Sequence, residues 1–385
     1  MITSESKKHQ KHAKLTKPTI GSFHRNEWAI IGTSCDQIKK MAFEATESLS
    51  GQLKIAYIDA DHKSADTEIE EGRDQKSILA HGGQFEFTDK ITFQRFDVEG
   101  QLSDYKLKPL FQDNDLVLVN GNHFQANRQI LVIDPKNNLE KHLDKLTNVG
   151  LILLNEEASE IPELMLSKLN LDSIPVKSVN EPNVLTDFLR EEWSESIPKV
   201  KGLVLAGGQS TRMGRDKGKI NYHGKDQRIF MLEQLHGVTD SAYISIREDQ
   251  LDELDDHPVL TDKFIGLGPY GAILSAFQSD PNSAWLVVAC DQPNIDAEIL
   301  SHLVSNRDAT KMATCYHNPE TNFPEPLITL WEPQAYPILL HFLSLGFSCP
   351  RKVIINSDCK IIQAPDVRIL KNVNTPEELE KVVGN

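Results

Sequence analysis

Long apolar runs are missing from this chain: no window approaches the roughly 18 residues that a membrane-spanning helix requires. The opening stretch, Met1 to Pro18, is rich in Lys, Ser and His and has no apolar core, so it does not read as a secretory signal. Residues 1–25 are expected to form a disordered tail. Cysteine is sparse. Cys35, Cys290, Cys315, Cys349 and Cys359 show no C-x-x-C pair, and an odd, scattered set in an acidic chain points to reduced thiols in a cytoplasm. The histidines are equally dispersed, so no zinc site is expected; His62 and His123 read as surface residues or as residues behind a site. Positive charge is short too. Lys plus Arg number 41 against 56 Asp plus Glu, a net charge of −15, which excludes a broad nucleic-acid surface or an anionic-membrane surface. Any site for a polyanion must therefore be a local basic pocket.

At 385 residues the chain is long for one domain and comfortable for two, each able to bury a core. Short β-branched runs alternate with amphipathic stretches in both halves, the pattern of α/β domains built on mostly parallel sheets flanked by helices. In the first half, strands are expected at 27–31, 54–58, 115–119, 129–133 and 150–154. Helices are expected at 37–49, 137–147 and 182–196. In the second, strands are expected near 201–206, 241–246, 285–290, 311–315 and 327–331. Helices are expected near 228–236, 270–279, 296–305, 334–345 and 376–383. Thr375-Pro376-Glu377-Glu378 starts the last helix well: a hydroxyl cap, proline in the first turn and acids at the positive end of the dipole. Ile197-Pro198 marks the boundary between domains at 26–196 and 199–385. The halves show no sequence repeat.

The densest chemistry lies in Leu205-Ala-Gly-Gly-Gln-Ser-Thr-Arg-Met-Gly-Arg-Asp-Lys217, which follows the apolar run Lys201 to Leu205. Gly207, Gly208 and Gly214 let the backbone turn tightly and approach a ligand with its N–H groups pointing inward. Ser210, Thr211, Arg212, Arg215 and Lys217 add hydroxyl donors and positive charge. Amide cradle, cations and little bulk suit a nucleoside triphosphate; a plain turn is the bland alternative. The spacing is neither G-x-x-x-x-G-K-[ST] nor G-x-G-x-x-G.

This loop resembles the L-A-G-G-x-S-x-R-M-G-x-D-K signature of the molybdopterin guanylyltransferases, the nucleotidyltransferases that finish the molybdenum cofactor. Four further segments are similar to that family, in order: Gly268-Pro-Tyr-Gly-Ala-Ile-Leu, Trp285 to Pro293 ending in Cys-Asp-Gln-Pro, Glu325-Pro-Leu327, and Asn372-Val-Asn-Thr-Pro-Glu-Glu378. Together they cover roughly residues 199 to 385. The resemblance implies a Rossmann-like nucleotidyltransferase fold and an Mg²⁺-dependent transfer of GMP from GTP to the phosphate of molybdenum-bound molybdopterin, with release of pyrophosphate.

It also implies roles. Leu205, Ala206, Gly207, Gly208 and Ser210 would hold the nucleotide. Arg212 and Lys217 would stabilise charge growing on the phosphates; the bland alternatives are a loop brace for Arg212 and a surface ion pair for either. Asp291, at the end of an apolar strand, would carry the metal, or else cap a helix. Asp262 matches a second family aspartate near the nucleotide, or is only a turn residue before Gly266. After Ile246, where many relatives place Asn to contact the nucleotide, stands Arg247, which would take that place but has no acceptor oxygen to offer. Asn372, Asn374, Arg351 and Lys352 are candidates for the acceptor side. Gly207 and Gly208, where cytidylyl relatives usually carry one Ala, favour guanine; Gln292 occurs in cytidylyl relatives as well, so a CTP-using cytidylyltransferase stays open.

The first half is similar, more faintly, to the P-loop GTP-binding adaptor of the same pathway (MobB type). The similar segments are Ala29 to Ser34, Ile58-Asp-Ala-Asp-His-Lys63 and Asp115 to Gly121. Its phosphate loop is broken: Gly32-Thr-Ser-Cys-Asp-Gln-Ile-Lys39 lacks the second glycine and places Asp36 where a phosphate would be repelled. A degenerate P-loop-like domain that has kept its scaffold is expected, with cofactor presentation, docking or dimerisation as surviving roles. Expected partners are GTP and molybdopterin, with molybdoenzymes or other cofactor-assembly proteins, and neither nucleic acid nor membrane. A non-catalytic scaffold of molybdoenzyme assembly is the alternative from another class.

Overall fold

A computed structural model describes residues 26–60, 77–158, 160–166, 168–208, 217–254, 256–371 and 373. The chain divides into two compact units between Ile197 and Pro198.

The first unit contains β1 (Asn26–Ile31), α1 (Cys35–Leu49), β2 (Ile55–Ile58), β3 (Phe85–Asp89), β4 (Gln94–Val98), α2 (Asp104–Leu107), β5 (Leu116–Asn120), β6 (Arg128–Ile133), β7 (Val149–Leu154), α3 (Glu163–Leu166), β8 (Val176–Ser178) and α4 (Val184–Glu195). Its sheet runs β2-β5-β1-β6-β7-β8 with every pairing parallel. The continuous apolar runs of β5 and β6 follow from burial on both faces. Helix α1 lays Ile38, Met41, Ala42, Ala45 and Leu49 against the sheet at helical spacing, and the Ser34 hydroxyl caps it by accepting from the Gln37 amide at 3.3 Å.

Three departures from the sequence reading occur here. Segment 137–147 is a 3₁₀ turn, Leu139–Lys145, rather than a helix. The Gln129 side chain grips both the Lys145 carbonyl and the Thr147 amide, fixing where this 3₁₀ segment ends. The short strand β8 and the antiparallel hairpin of β3 and β4 carried too little apolar signal to be anticipated.

The second unit contains β9 (Val200–Leu205), α5 (Gln227–His236), β10 (Ser241–Ile246), β11 (Val259–Thr261), α6 (Pro269–Ser279), β12 (Ala284–Ala289), α7 (Ala297–Ser305), β13 (Ala313–Asn318), β14 (Phe323–Trp331), α8 (Ala335–Ser344), α9 (Pro350–Ile355) and β15 (Cys359–Gln363). The sheet order is β11-β10-β9-β12-β14-β13-β15. All neighbours are parallel except β14, which runs antiparallel to both β12 and β13. Alternation along the strands sends side chains to two apolar layers. Val204, Leu286 and Val288 join Met231, Leu235 and Leu300 on one face. Leu203, Trp285 and Val287 join Tyr270, Ile273, Phe277 and Leu339 on the other. The result is a three-layer sandwich of helices, sheet and helices. Strands β11 and β15 and helix α9 lie beyond what the sequence reading anticipated, and the helix expected at 376–383 lies outside the described residues.

One buried ion pair locks this unit. Arg307 donates from Nε and Nη2 to the two carboxylate oxygens of Glu332 at 2.6 and 2.7 Å, and from Nη1 to the Pro198 carbonyl at 2.8 Å. Glu332 is fully buried, so desolvation pushes its carboxyl up while Arg307 opposes the rise. The bridge ties the first residue of the unit to the end of β14. Arg307→Met should cost about 3–5 kcal/mol by stranding a buried charge. Urea titration should then show most of that loss recovered in Arg307→Met/Glu332→Leu; an additive double loss would contradict the assignment.

Candidate functional site

Strand β9 ends at Leu205, and the chain leaves the sheet at the carboxyl edge through Ala206, Gly207 and Gly208. The Ala206 amide donates to the Ser245 carbonyl at 3.0 Å, so the start of the loop is an extension of the β9–β10 ladder. Asp262 follows β11 and reaches the same place: its amide donates to the Ile246 carbonyl at 3.0 Å and its Oδ1 accepts from the Ser245 hydroxyl at 2.6 Å. A Cβ on Gly207 would stand 3.2 Å from Asp262 Oδ2, so glycine at 207 lets the loop press against that carboxylate. Burial raises the Asp262 carboxyl above its ordinary value, against the pull of Ser245 and Arg247.

The Gly268-Pro-Tyr-Gly turn supports this wall. A Cβ on Gly271 would lie 2.1 Å from the Phe264 carbonyl, so only glycine lets α6 pack under the segment that carries Asp262. The Ser275 hydroxyl fastens the same segment, accepting from the amides of Lys263 at 2.8 Å and Phe264 at 3.3 Å.

The opposite wall is built at the end of β12. Asp291 is half-buried, and its carbonyl accepts from the Val373 amide at 2.7 Å. Val373 packs with Ile220 and Tyr222, which follow the Lys217–Lys219 turn. The closing motif and the chain just beyond the glycine loop therefore meet beside Asp291. The Pro293 carbonyl is bound by His223 Nε2 at 2.9 Å, and that imidazole stacks on Phe230 with centroids 3.9 Å apart.

Glu325 belongs to this wall and was missed as a site residue. Its flanking prolines, Pro324 and Pro326, cannot donate to a ladder, and the β13–β14 register slips between Cys315 and His317. Glu325 is 5% exposed; its Oε1 accepts from Asn318 Nδ2 at 2.6 Å, and its Oε2 is 3.8 Å from Arg351 Nη2. Burial raises its carboxyl, the negative charge of Asp291 raises it further, and Asn318 and Arg351 oppose. A charged residue between two prolines in an otherwise apolar strand was the available signal. Arg351 is thus brought to this wall, where it also donates to the Pro324 carbonyl at 3.2 Å, whereas Lys352 lies over the Phe347 ring at 5.3 Å.

Of the residues expected from sequence, the structure places Leu205, Ala206, Gly207, Gly208, Arg247, Asp262 and Asp291 along one edge of one sheet. Ser210 and Arg212, and Asn372 and Asn374, lie outside the described residues, as does His62 in the first unit. Lys217 is placed by its backbone alone, at the start of a 3₁₀ turn. Among the described residues no three His, Cys, Asp or Glu side chains converge as a self-sufficient metal cage. The negative charge of Asp291 raises the Glu325 carboxyl, so the two carboxylates feel each other at this edge.

In the first unit, the polar groups of the loop after β1 and of the strand ends beside it serve the fold. The Thr33 hydroxyl donates to Asp134 at 2.7 Å, Ser34 caps α1, and Asn120 donates to Asp59 at 2.7 Å. Lys39 lies over the Phe43 ring at 5.7 Å.

Two substitution series probe the glycine wall. Gly207→Ala should cost about 1–3 kcal/mol by overpacking Asp262. Among the described residues nothing lies within 4 Å of a Cβ on Gly208, so Gly208→Ala should stay within about 0.5 kcal/mol in thermal melts. Equal costs would contradict this placement. Asp262→Asn should melt above the parent near neutral pH, because a raised carboxyl costs stability once ionised. That gain should fade as the pH falls through the raised folded value and be gone below the unfolded carboxylate value, about 4.

Residues 202–357 match the family described as "MobA-like NTP transferase domain". The chain is 33% identical over 183 residues to a molybdenum cofactor biosynthesis bifunctional protein of Synechocystis, a match covering 47% of this chain and 53% of that protein. The chain thus spans about half the length of that relative. It is 30% identical over 190 residues to a probable molybdenum cofactor guanylyltransferase of Trichormus variabilis, covering 47% of this chain and 89% of the relative. Among solved structures, molybdopterin-guanine dinucleotide biosynthesis protein A of Archaeoglobus fulgidus matches with 22% identity and a TM-score of 0.42, covering 48% of this chain and 97% of that one. The chain belongs to the MobA-like NTP transferase family, and the family match lies within its second unit.

Proposed function

We propose that the second unit transfers GMP from GTP to the phosphate of molybdenum-bound molybdopterin and releases pyrophosphate. The observation that carries this reading is the convergence of the Gly207–Gly208 backbone, Asp262, Asp291 and Val373 at one sheet edge. The names of the Synechocystis and Trichormus relatives supply the pathway. Leu205, Ala206, Gly207, Gly208 and Ser210 would line the nucleotide, with Asp262 fixing the loop from behind. Lys217 and Arg212 would face the phosphates. Asp291, with Glu325 beside it, would hold Mg²⁺, which when bound neutralises triphosphate charge. Arg351, Asn372 and Asn374 would address the acceptor.

In the reaction an acceptor phosphate oxygen attacks the α-phosphorus of GTP, and the bond to the β-phosphate oxygen breaks. The protein positions the two anions in line and offsets their repulsion, and little covalent help is required. The first unit is proposed to be a degenerate P-loop domain that presents the pterin or docks a cofactor-assembly partner, consistent with the internal use of its Thr33 and Ser34 hydroxyls.

Pyrophosphate release should be followed with molybdopterin and either GTP or CTP. GTP is expected to turn over faster; equal or better turnover with CTP would overturn the base assignment. Asp291→Asn should lower turnover by more than about 100-fold, since loss of groups that merely orient metal ligands already costs about 10–100-fold. An active Asp291→Asn enzyme would move the metal elsewhere.

A further inference from the structure

Arg247 stands where an asparagine contact to the nucleotide would be expected, yet its guanidinium is engaged by the protein. Nη1 donates to the Gly207 carbonyl at 2.7 Å, while Nε and Nη2 donate to Asp249 Oδ1 and Oδ2 at 2.9 and 3.2 Å. The stem is fixed as well. The Arg247 amide donates to Gln250 Oε1 at 3.1 Å, its carbonyl accepts from the Gln250 amide at 3.0 Å, and Gln250 is buried. Its charge also reaches Asp262 and opposes the rise of that carboxyl. One side chain therefore touches the loop carbonyl, senses the carboxylate behind the loop, and is squared against an exposed acid.

We propose that Arg247 is a positioning residue: with Asp249 it forms a latch that holds the Gly207 carbonyl outward and so turns the following amide into the nucleotide cradle. A peptide plane is rigid, so fixing the carbonyl of residue 207 fixes the N–H of residue 208 on its opposite side. Guanidinium-to-carbonyl bonds are charge-assisted and directional, and the planar fork suits holding a carbonyl and a carboxylate at once. The latch sets how well the loop is preorganised, and the nucleotide feels Arg247 only through the backbone. This rests on the nucleotide-site reading above, so the test has an arm independent of any nucleotide.

The full-length chain is prepared as Arg247→Met, Arg247→Lys and Asp249→Ala. Hydrogen exchange is followed in the 203–208 peptide without ligand, and GTP affinity and steady-state constants are measured alongside. In Arg247→Met, exchange at Gly207 and Gly208 should quicken several-fold. GTP binding should weaken about ten-fold, the size of one lost charge-assisted hydrogen bond, with the KM for GTP rising more than kcat falls and the acceptor KM unmoved. Arg247→Lys should recover part of both. Asp249→Ala should shift exchange and affinity in the same direction by a smaller factor, because it loosens one side of the latch.

Direct contact with the nucleotide predicts the reverse for Asp249→Ala: a freed guanidinium and tighter GTP binding, which would overturn the latch. Unchanged exchange in Arg247→Met would overturn it too, whatever the nucleotide does. Parent protein that binds no nucleoside triphosphate would instead overturn the reading of the unit, while the exchange arm would still decide the latch.

Discussion

Strand β9 pairs in parallel with β10 on one side and β12 on the other, and the site depends on that constraint. Parallel neighbours end at the same edge, so the loop after β9, Arg247 after β10 and Asp291 after β12 leave the sheet together. Strand β11, parallel to β10, adds Asp262 to the group. Only β14 runs the other way, and so it brings the beginning of a strand, with Glu325, to an edge otherwise made of strand ends. Residues far apart in the chain thereby reach one edge of the sheet.

Burial at this edge is electrostatically costly. Asp262 and Glu325 both sit where desolvation raises their carboxyls, and in each case hydrogen bonds only partly offset the effect. Stability alone would favour neutral residues at both places. On the proposed reading a cation and phosphates would share this space and offset that cost. Glu332 differs: a bidentate arginine answers its charge inside the fold, far from any ligand-facing loop.

The two units share a class of architecture and differ in what their loops do. After β1 the Thr33 hydroxyl is spent on Asp134 and the Ser34 hydroxyl on the cap of α1. After β9, in the described residues Ala206 to Gly208, Gly207 is pressed on Asp262 and its carbonyl is held by Arg247. Fold alone therefore does not carry function; the local chemistry of the first loop after the first strand separates them.

Sequence by itself settled the alternation of strands and helices, because apolar periodicity is set by which faces a segment buries. It also marked the glycine loop and the aspartate after Cys290 as chemically unusual. It did not reveal β11, β15 or the β3–β4 hairpin, whose short or half-exposed strands leave weak patterns, and it made a helix of 137–147 where Gln129 closes a 3₁₀ turn. Tertiary structure alone decided that Glu325 joins Asp291, that Lys352 turns away to Phe347, and that Arg247 grips a carbonyl. Periodicity reports which side of an element is dry; which charges face one another depends on strand order and direction, and these are fixed only when the sheet assembles.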